Sequence, residues 1–229
     1  MDNAGSAALK EKVKKSLDIL SGIPERFQTD KVAVGYTGGK DSTTLLYLIK
    51  EAFGGKVPFK VIRIDTSVKF PEINAFVDKM ARLLSLDLRV YKAKEAPAAI
   101  EIAKDKEQCC HLLKTAPLLN AIRELNISAL ITGLRWDENP ARGKEEYFSP
   151  RENPDHFRVN PILHFTEKDI WEYIKTYDIP YCVLYDRGYR SLGCIPCTGP
   201  STNPDGPERQ GRSQSKEEAM KRLRELGYF

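Results

Sequence analysis

Apolar residues along this chain recur with two spacings, and the alternation between these spacings predicts its secondary structure. Leu9, Val13, Leu17 and Leu20 fall on one face of a helix, so an amphipathic helix is expected over residues 9–20. Short β-branched runs then alternate with further helical patterns down the chain. The predicted strands are 31–36, 59–65, 86–91 and 129–133, and the later helices are 42–53, 71–84, 114–125, 166–174 and 216–226.

Strands that alternate with helices of this length predict an α/β fold, in which a mostly parallel, doubly wound sheet is covered on both faces. Ligands of such sheets bind beyond the carboxyl ends of the strands. Residues 135–159 are polar and aperiodic, and we predict that they form a long ordered loop over that edge. We divide the chain into one domain at 1–200 and a C-terminal extension with a helix at 201–229.

Composition restricts the class of protein. Of the 229 residues, 41% are hydrophobic and 30% are charged, which is typical of a soluble globular protein and excludes collagen-like and disordered chains. No apolar run approaches the ~20 residues of a membrane helix, and the first residues do not form a secretory signal, so we expect a cytoplasmic protein. The formal net charge of +4 permits a polyanionic partner without requiring one.

The segment at 36–43, Tyr-Thr-Gly-Gly-Lys-Asp-Ser-Thr, joins the first predicted strand to the next helix. Its paired glycines let the backbone approach an anion, and the following helix N-terminus supplies free N–H donors. Ser42 and Thr43 can donate hydroxyl hydrogens to the same anion, and Lys40 can neutralise it. Neither a Walker A pattern nor a dinucleotide fingerprint is present. A phosphate-binding loop is the favoured interpretation, and an ordinary glycine turn is the alternative.

The motif Thr37-Gly-Gly-Lys-Asp-Ser42 resembles the Ser-Gly-Gly-x-Asp-Ser loop of the PP-loop ATP pyrophosphatases, with threonine where serine is usual. The segments 64–72, 133–142, 158–171 and 188–194 are similar to motifs of phosphoadenylyl-sulfate reductases and of the ATP sulfurylase small subunit. The tail from Glu208 to Phe229 resembles the sulfurylase small subunit in particular. The resemblance implies an enzyme that binds ATP and Mg²⁺, attacks the α-phosphorus and releases pyrophosphate.

Site residues follow from this resemblance and from the loop chemistry. Arg135, Arg142 and Arg151 lie in the polar segment beside the expected anionic substrate, although a solvated surface is the alternative. Asp65 could bind ribose or magnesium, or it could cap the turn that follows its strand. The expected catalytic residues are Lys40, Asp41, Arg135 and Arg142, and the expected nucleotide-binding residues are Tyr36, Thr37, Gly38, Gly39, Ser42, Thr43, Asp65 and Gly133.

Four of the five cysteines are clustered, as Cys109-Cys110 and as Cys194-Ile-Pro-Cys197. A Cys-x-x-Cys pair by itself is weak evidence, because zinc sites, redox pairs and chance all produce it. The combination of both pairs resembles the ligand set of the iron–sulfur cluster in adenylyl-sulfate reductases, which implies a 4Fe-4S cluster; zinc and a thiol or disulfide pair are the alternatives. Cys182, in an apolar stretch, is expected to be a buried small hydrophobe.

The intact phosphate loop favours ATP as the substrate, since the reductases that this chain resembles have largely lost it. No cysteine follows Cys197 that could serve as their nucleophile. We therefore expect an ATP pyrophosphatase that adenylates an acceptor for sulfur incorporation, as in nucleic-acid thiolation or phosphorothioation. The expected partners are a sulfur-donor or GTPase protein and a nucleic acid, and the chain is expected to form a homo-oligomer.

Three other functions remain open at this point. A sulfate adenylyltransferase small subunit that works with a GTPase would explain the tail but not the cysteines. An adenylyl-sulfate or phosphoadenylyl-sulfate reductase would explain the cysteines but not the loop. The third is a non-catalytic function, that of a nucleotide-binding regulatory subunit of a sulfur-transfer complex.

Overall fold

A computed structural model describes residues 5–93, 101–203, 205–219 and 222–223 of the chain. Eight α-helices and six strands are present in these ranges. The helices are α1 Ala7–Ser21, α2 Ile23–Arg26, α3 Lys40–Ala52, α4 Pro71–Leu83, α5 Lys106–Cys110, α6 Ala116–Glu124, α7 Glu167–Thr176 and α8 Gln214–Glu218. The strands are β1 Val32–Gly35, β2 Lys60–Asp65, β3 Leu88–Lys92, β4 Ala129–Ile131, β5 Phe148–Arg151 and β6 His156–Val159.

The six strands form one sheet in the order β3-β2-β1-β4-β6-β5. All neighbouring pairs are parallel except β5 and β6, which are antiparallel. Val32 and Val34 on β1 belong to a core that includes α1, α3, α4 and α7, whereas Ala33 packs with α6 on the opposite face. This alternation buries both faces of the strand, so the expected α/β, mostly parallel and doubly wound sheet is confirmed.

The polar segment 135–159 is not a loop throughout, which corrects the prediction. It contains a 3₁₀ turn at Pro140–Arg142 and the β5–β6 hairpin, whose second strand pairs with β4. The hydropathy pattern hides this hairpin because Ser149, His156 and Arg158 are buried although they are polar. Pro150 is compatible with β5 because this strand lies at the edge of the sheet.

Two predicted helices differ from the structure. The helix expected at 114–125 is preceded by α5 and a π-helical turn at His111–Thr115, and α6 itself begins at Ala116, with proline in its first turn. The helix expected at 216–226 begins at Gln214, and its later part falls largely outside the described residues. Within the described ranges, no helix has both the length and the apolar character needed to cross a bilayer.

Candidate active site

The phosphate loop turns sharply between β1 and α3, at the carboxyl edge of the sheet. Gly38 has a φ of +78°, and a Cβ atom at this position would lie 2.8 Å from Cγ2 of Val77. Ser42 donates its hydroxyl hydrogen to the Gly39 carbonyl over 3.0 Å, and the backbone N–H of Lys40 donates to the Tyr185 hydroxyl over 2.8 Å. The positive φ of Gly38 and its close approach to Val77 both require glycine at this position.

Lys40, the first residue of α3, has 1% of its surface exposed. Its Nζ donates to the carbonyl oxygen of Arg190 over 2.9 Å and to Glu208, and it lies 3.6 Å from a carboxylate oxygen of Asp41. Burial by itself lowers the pKa of Lys40, but Asp41, Tyr185 and Glu208 raise it well above its ordinary value. The ammonium group is therefore charged at neutral pH.

Arg135 is fully buried next to Lys40. Its Nε donates to Asp41 over 2.6 Å, its Nη1 donates to Asp137, and its Nη2 donates to the second carboxylate oxygen of Glu208. The structure thus brings Lys40, Asp41 and Arg135 together, although Arg135 comes from the segment after β4. Glu208 bridges the two cations.

Arg142 lies in the same cleft but in a second cluster of charges. It donates to Glu138, whose other oxygen accepts a hydrogen bond from Arg209 over 2.7 Å. Arg151 instead bonds Glu145 over 2.6 Å and does not line the cleft. Arg158, Arg209, Arg212, Lys69 and Lys114 also line the cleft.

The expected nucleotide-binding residues divide into two groups. Those that line the cleft are Tyr36, Thr37, Gly39, Ser42 and Gly133. Gly38 packs against α4. Thr43 is buried, and its hydroxyl oxygen lies 3.4 Å from the hydroxyl oxygen of Tyr36. Asp65 accepts from the backbone N–H of Ser67 over 2.8 Å and pairs with Lys92, so it caps the turn; its role toward ribose or magnesium stays a prediction.

The four clustered cysteines line one small apolar cavity beside the cleft. Cys109 and Cys110 end α5, and Cys194 and Cys197 flank a 3₁₀ turn; all four are free thiols. In the part of the chain that the structure describes, no group of three or more His, Cys, Asp or Glu side chains could hold a single metal ion. Four cysteine thiols around one cavity are the donor set that a 4Fe-4S cluster uses, so the residues present match that group in kind and number.

Cys194 has a thiol with a lowered pKa. Burial raises its pKa, but Lys114, Lys69, the Thr66 hydroxyl at 3.3 Å and Lys216 together lower the pKa to about 6. Thr66, Lys69 and Lys114 line the cleft, and Lys114 also lines the cysteine cavity, so the two cavities are neighbours. A thiolate is the form that binds iron or zinc.

Sequence comparison places this geometry in a family. Residues 31–200 match the family model described as the phosphoadenosine phosphosulfate reductase domain. The chain belongs to this family. It is 31% identical over 200 residues to an adenosine 5'-phosphosulfate reductase from Geobacillus kaustophilus (strain HTA426), covering 84% of this chain and 83% of that protein. It is 32% identical over 180 residues to a phosphoadenosine 5'-phosphosulfate reductase from Xylella fastidiosa (strain 9a5c), covering 75% and 74%.

Solved structures share the fold. A phosphoadenylyl-sulfate reductase from Candida auris, in a phosphate complex, superposes with a TM-score of 0.70 at 21% identity, covering 87% of this chain and 100% of that chain. An FMN adenylyltransferase from Candida glabrata, in complex with ATP, superposes with a TM-score of 0.69 at 17% identity, covering 99% and 84%. The names of the sequence relatives agree better with the reductase alternative than with the adenylating enzyme favoured from the sequence.

Proposed function

We propose that this member of the phosphoadenosine phosphosulfate reductase domain family is an ATP-dependent adenylyl-transferring enzyme of sulfur metabolism. An acceptor oxygen attacks the α-phosphorus of ATP, the bond to the β-phosphate oxygen breaks, and pyrophosphate leaves while the adenylyl group stays on the acceptor. The observation that carries this proposal is the pair of buried cations, Lys40 and Arg135, behind an intact Gly-Gly-Lys-Asp-Ser loop.

The arrangement suits a leaving pyrophosphate. Lys40 and Arg135 would stabilise the negative charge that grows on the β-phosphate, and a buried site strengthens that interaction because water does not screen it. α3 begins at Lys40, so the positive end of its helix dipole lies beside the same loop. A structure of the same fold, the FMN adenylyltransferase, was solved with ATP, which supports ATP as a ligand of this architecture.

Sulfonucleotide reduction is the second candidate, favoured by the names of the relatives. That reaction needs a thiolate that attacks the sulfur of the substrate. Of the five cysteines in these 229 residues, four line the cavity and the fifth, Cys182, is fully buried with a pKa raised by burial. Cys182 is confirmed as a core residue, so the nucleophile of that reaction would have to be one of the four cysteines for which we propose a different role.

We also propose that Cys109, Cys110, Cys194 and Cys197 hold a 4Fe-4S cluster, with zinc as the less favoured occupant. When bound, such a cluster supplies a redox-active group beside the nucleotide. The lysines near Cys194 would favour its thiolate and compensate the negative charge of a thiolate-ligated cluster. Since the cluster has no evident task in sulfate adenylylation, a nucleic-acid or protein-bound acceptor is favoured over sulfate.

The test is pyrophosphate release from Mg·ATP by anaerobically purified protein, with sulfate, DNA and RNA added in turn together with a sulfide donor. We expect release that depends on one acceptor, and a loss of about a hundredfold or more in Lys40→Met. Lys56→Met, which removes an exposed cation outside the cleft, is the control. Sulfite formation from adenylyl sulfate and a dithiol, without any ATP cleavage, would establish the second candidate instead.

A further inference from the structure

Glu208 carries a carboxylate into the place where the proposed function puts a phosphate. One oxygen accepts a hydrogen bond from Lys40 and the other accepts one from Arg135, while only 7% of the side chain is exposed. Glu208 belongs to the C-terminal segment, 168 residues away from Lys40 along the chain. A nucleotide that uses both cations must therefore replace both of these bonds.

From this contact we infer that Glu208 is a tethered competitor of the nucleotide phosphates, which holds Lys40 and Arg135 until a ligand with enough negative charge displaces it. The inference rests on the proposed function, because it takes the two cations as phosphate ligands. A monoanion that contacts one cation cannot replace the bidentate carboxylate, whereas pyrophosphate can contact both cations. The contact of Glu208 with Lys40 and Arg135 would thus favour the binding of di- and triphosphates over that of ligands with a single phosphate.

The neighbours of Glu208 are held independently of it. Arg209 donates two hydrogen bonds to Glu217, both of 2.7 Å, and Arg190 donates to the Gly206 carbonyl over 2.6 Å. These bonds fix the backbone on either side. The Glu208 side chain can therefore leave the cations by turning about its own bonds, without unfolding of the segment.

The electrostatics of the site favour an exchange. Burial raises the pKa of Glu208, and Asp41 and Glu138 add to this, so that despite Lys40 and Arg135 the pKa is raised to about 7. An ionised Glu208 is thus held less favourably than its two hydrogen bonds suggest, which favours its replacement by a ligand that contacts the same two cations. The charged and titratable groups that face it are Lys40, Asp41, Arg135, Glu138, Tyr185 and Arg190.

The experiment measures binding of inorganic pyrophosphate and of α,β-methylene-ATP, each with Mg²⁺, by calorimetry on the full chain. Glu208→Gln should bind both probes about tenfold more tightly than the wild type, because it removes the competing charge and keeps the shape. Asp205→Asn is the matched control: it removes one negative charge from the same segment, at an exposed side chain, and should bind as the wild type does.

A second readout is the ratio of the wild-type dissociation constant to that of Glu208→Gln. This ratio cancels the titration of the ligand, and it should rise with pH through about 7, as the wild-type carboxylate ionises. If the amide variant does not fold, Glu208→Asp serves instead, since its shorter side chain cannot reach both cations and should also bind pyrophosphate more tightly.

The outcomes separate the two proposals. One outcome would overturn the competitor role of Glu208 and leave the proposed function standing. In that outcome the wild type binds pyrophosphate, Lys40→Met abolishes the binding, and Glu208→Gln leaves it unchanged or weakens it. A gain in Asp205→Asn equal to that in Glu208→Gln would also overturn it, because the effect would then be one of net charge. No binding to the wild type or to Glu208→Gln would refute both proposals.

Discussion

At the scale of single residues, burial changes how the charged side chains of the site must be interpreted. The sequence places Lys40 on a loop, where its removal would leave the core untouched. In the structure Lys40 is fully buried and bonded to Glu208, so its truncation would leave a carboxylate without one of its partners. Methionine also removes that partner, but it keeps most of the buried volume, so it avoids the cavity that alanine would add.

The cysteines give a prediction at the same scale. Cys194→Ser should abolish the brown colour of anaerobically purified protein and lower its iron content from about four per chain to near zero, because the thiolate with the lowered pKa is lost. Cys182→Ala, at the one cysteine outside the cavity, should keep colour and iron. Iron and visible absorbance are measured side by side. Colourless wild-type protein with one zinc per chain would contradict the cluster.

At the scale of elements, the β1–loop–α3 unit depends on how closely the loop packs on α4. Gly38 has a positive φ, and an added methyl group would meet Val77 at 2.8 Å and Ile73 at 3.1 Å. The loop is therefore fixed by a neighbouring helix as well as by its own sequence. Gly133 plays a matching part on the other side, where an added Cβ would lie 3.1 Å from the backbone nitrogen of Ser42.

We expect Gly38→Ala to weaken both folding and pyrophosphate binding. The φ strain should cost about 1 kcal/mol, and the contact with Val77 about 1–3 kcal/mol more. Gly54→Ala is the matched control: Gly54 also has a positive φ, +63°, but nothing lies within 4 Å of the added methyl group. Urea unfolding and pyrophosphate titration report the two effects. Equal losses in both variants would show that packing on α4 does not hold the loop.

At the scale of the whole molecule, the C-terminal segment is packed against the part of the chain that forms the sheet and the cleft. Leu223 is fully buried beside Cys110, Leu134 and Leu163. Arg209 joins Glu138, from the segment after β4, to Glu217 of α8. The division at residue 200 stays a prediction, since these contacts join the two sides of it.

The Glu138 cluster should make the stability of the molecule sensitive to acid. Burial raises the pKa of Glu138, but Arg142 and Arg209 lower it far below its ordinary value. The ionised carboxylate therefore stabilises the fold above its ordinary pKa of about 4.3, and this contribution is lost as the pH falls below that value. Glu138→Gln should be less stable by about 3 kcal/mol near pH 7 and should lose less on acidification.

Urea unfolding at a series of pH values measures this difference. Glu101→Gln, which removes an exposed ion pair with Lys104, is the control and should change the free energy of unfolding by less than about 1 kcal/mol. If Glu138→Gln were as stable as the wild type at neutral pH, the arginines around it would not depend on that carboxylate.

The sequence by itself determined the α/β class, four of the six strands and the glycine loop between the first strand and the next helix. These features are local: the 3.6-residue and two-residue periods, and a pair of glycines between a strand and a helix, express backbone preferences that act over a few residues. The family resemblance rests on similar short motifs. Lys40, Asp41 and the four clustered cysteines can therefore be named from the order of residues alone, whereas Asp65 is suggested only by its position at the end of a strand.

Only the tertiary structure decided what those residues meet. The β5–β6 hairpin escaped detection because its buried residues include the polar Ser149, His156 and Arg158, so no apolar alternation marks the two strands. Arg158 and Glu208 fall in segments that resemble family motifs, but nothing in the local sequence showed that Arg158 lines the cleft or that Glu208 bonds Lys40. Glu208 reaches Lys40 only because the chain folds back on itself. A contact between residues 168 positions apart leaves no periodic pattern in the sequence. Long-range electrostatics and packing, which local pattern does not encode, set the contents of the site.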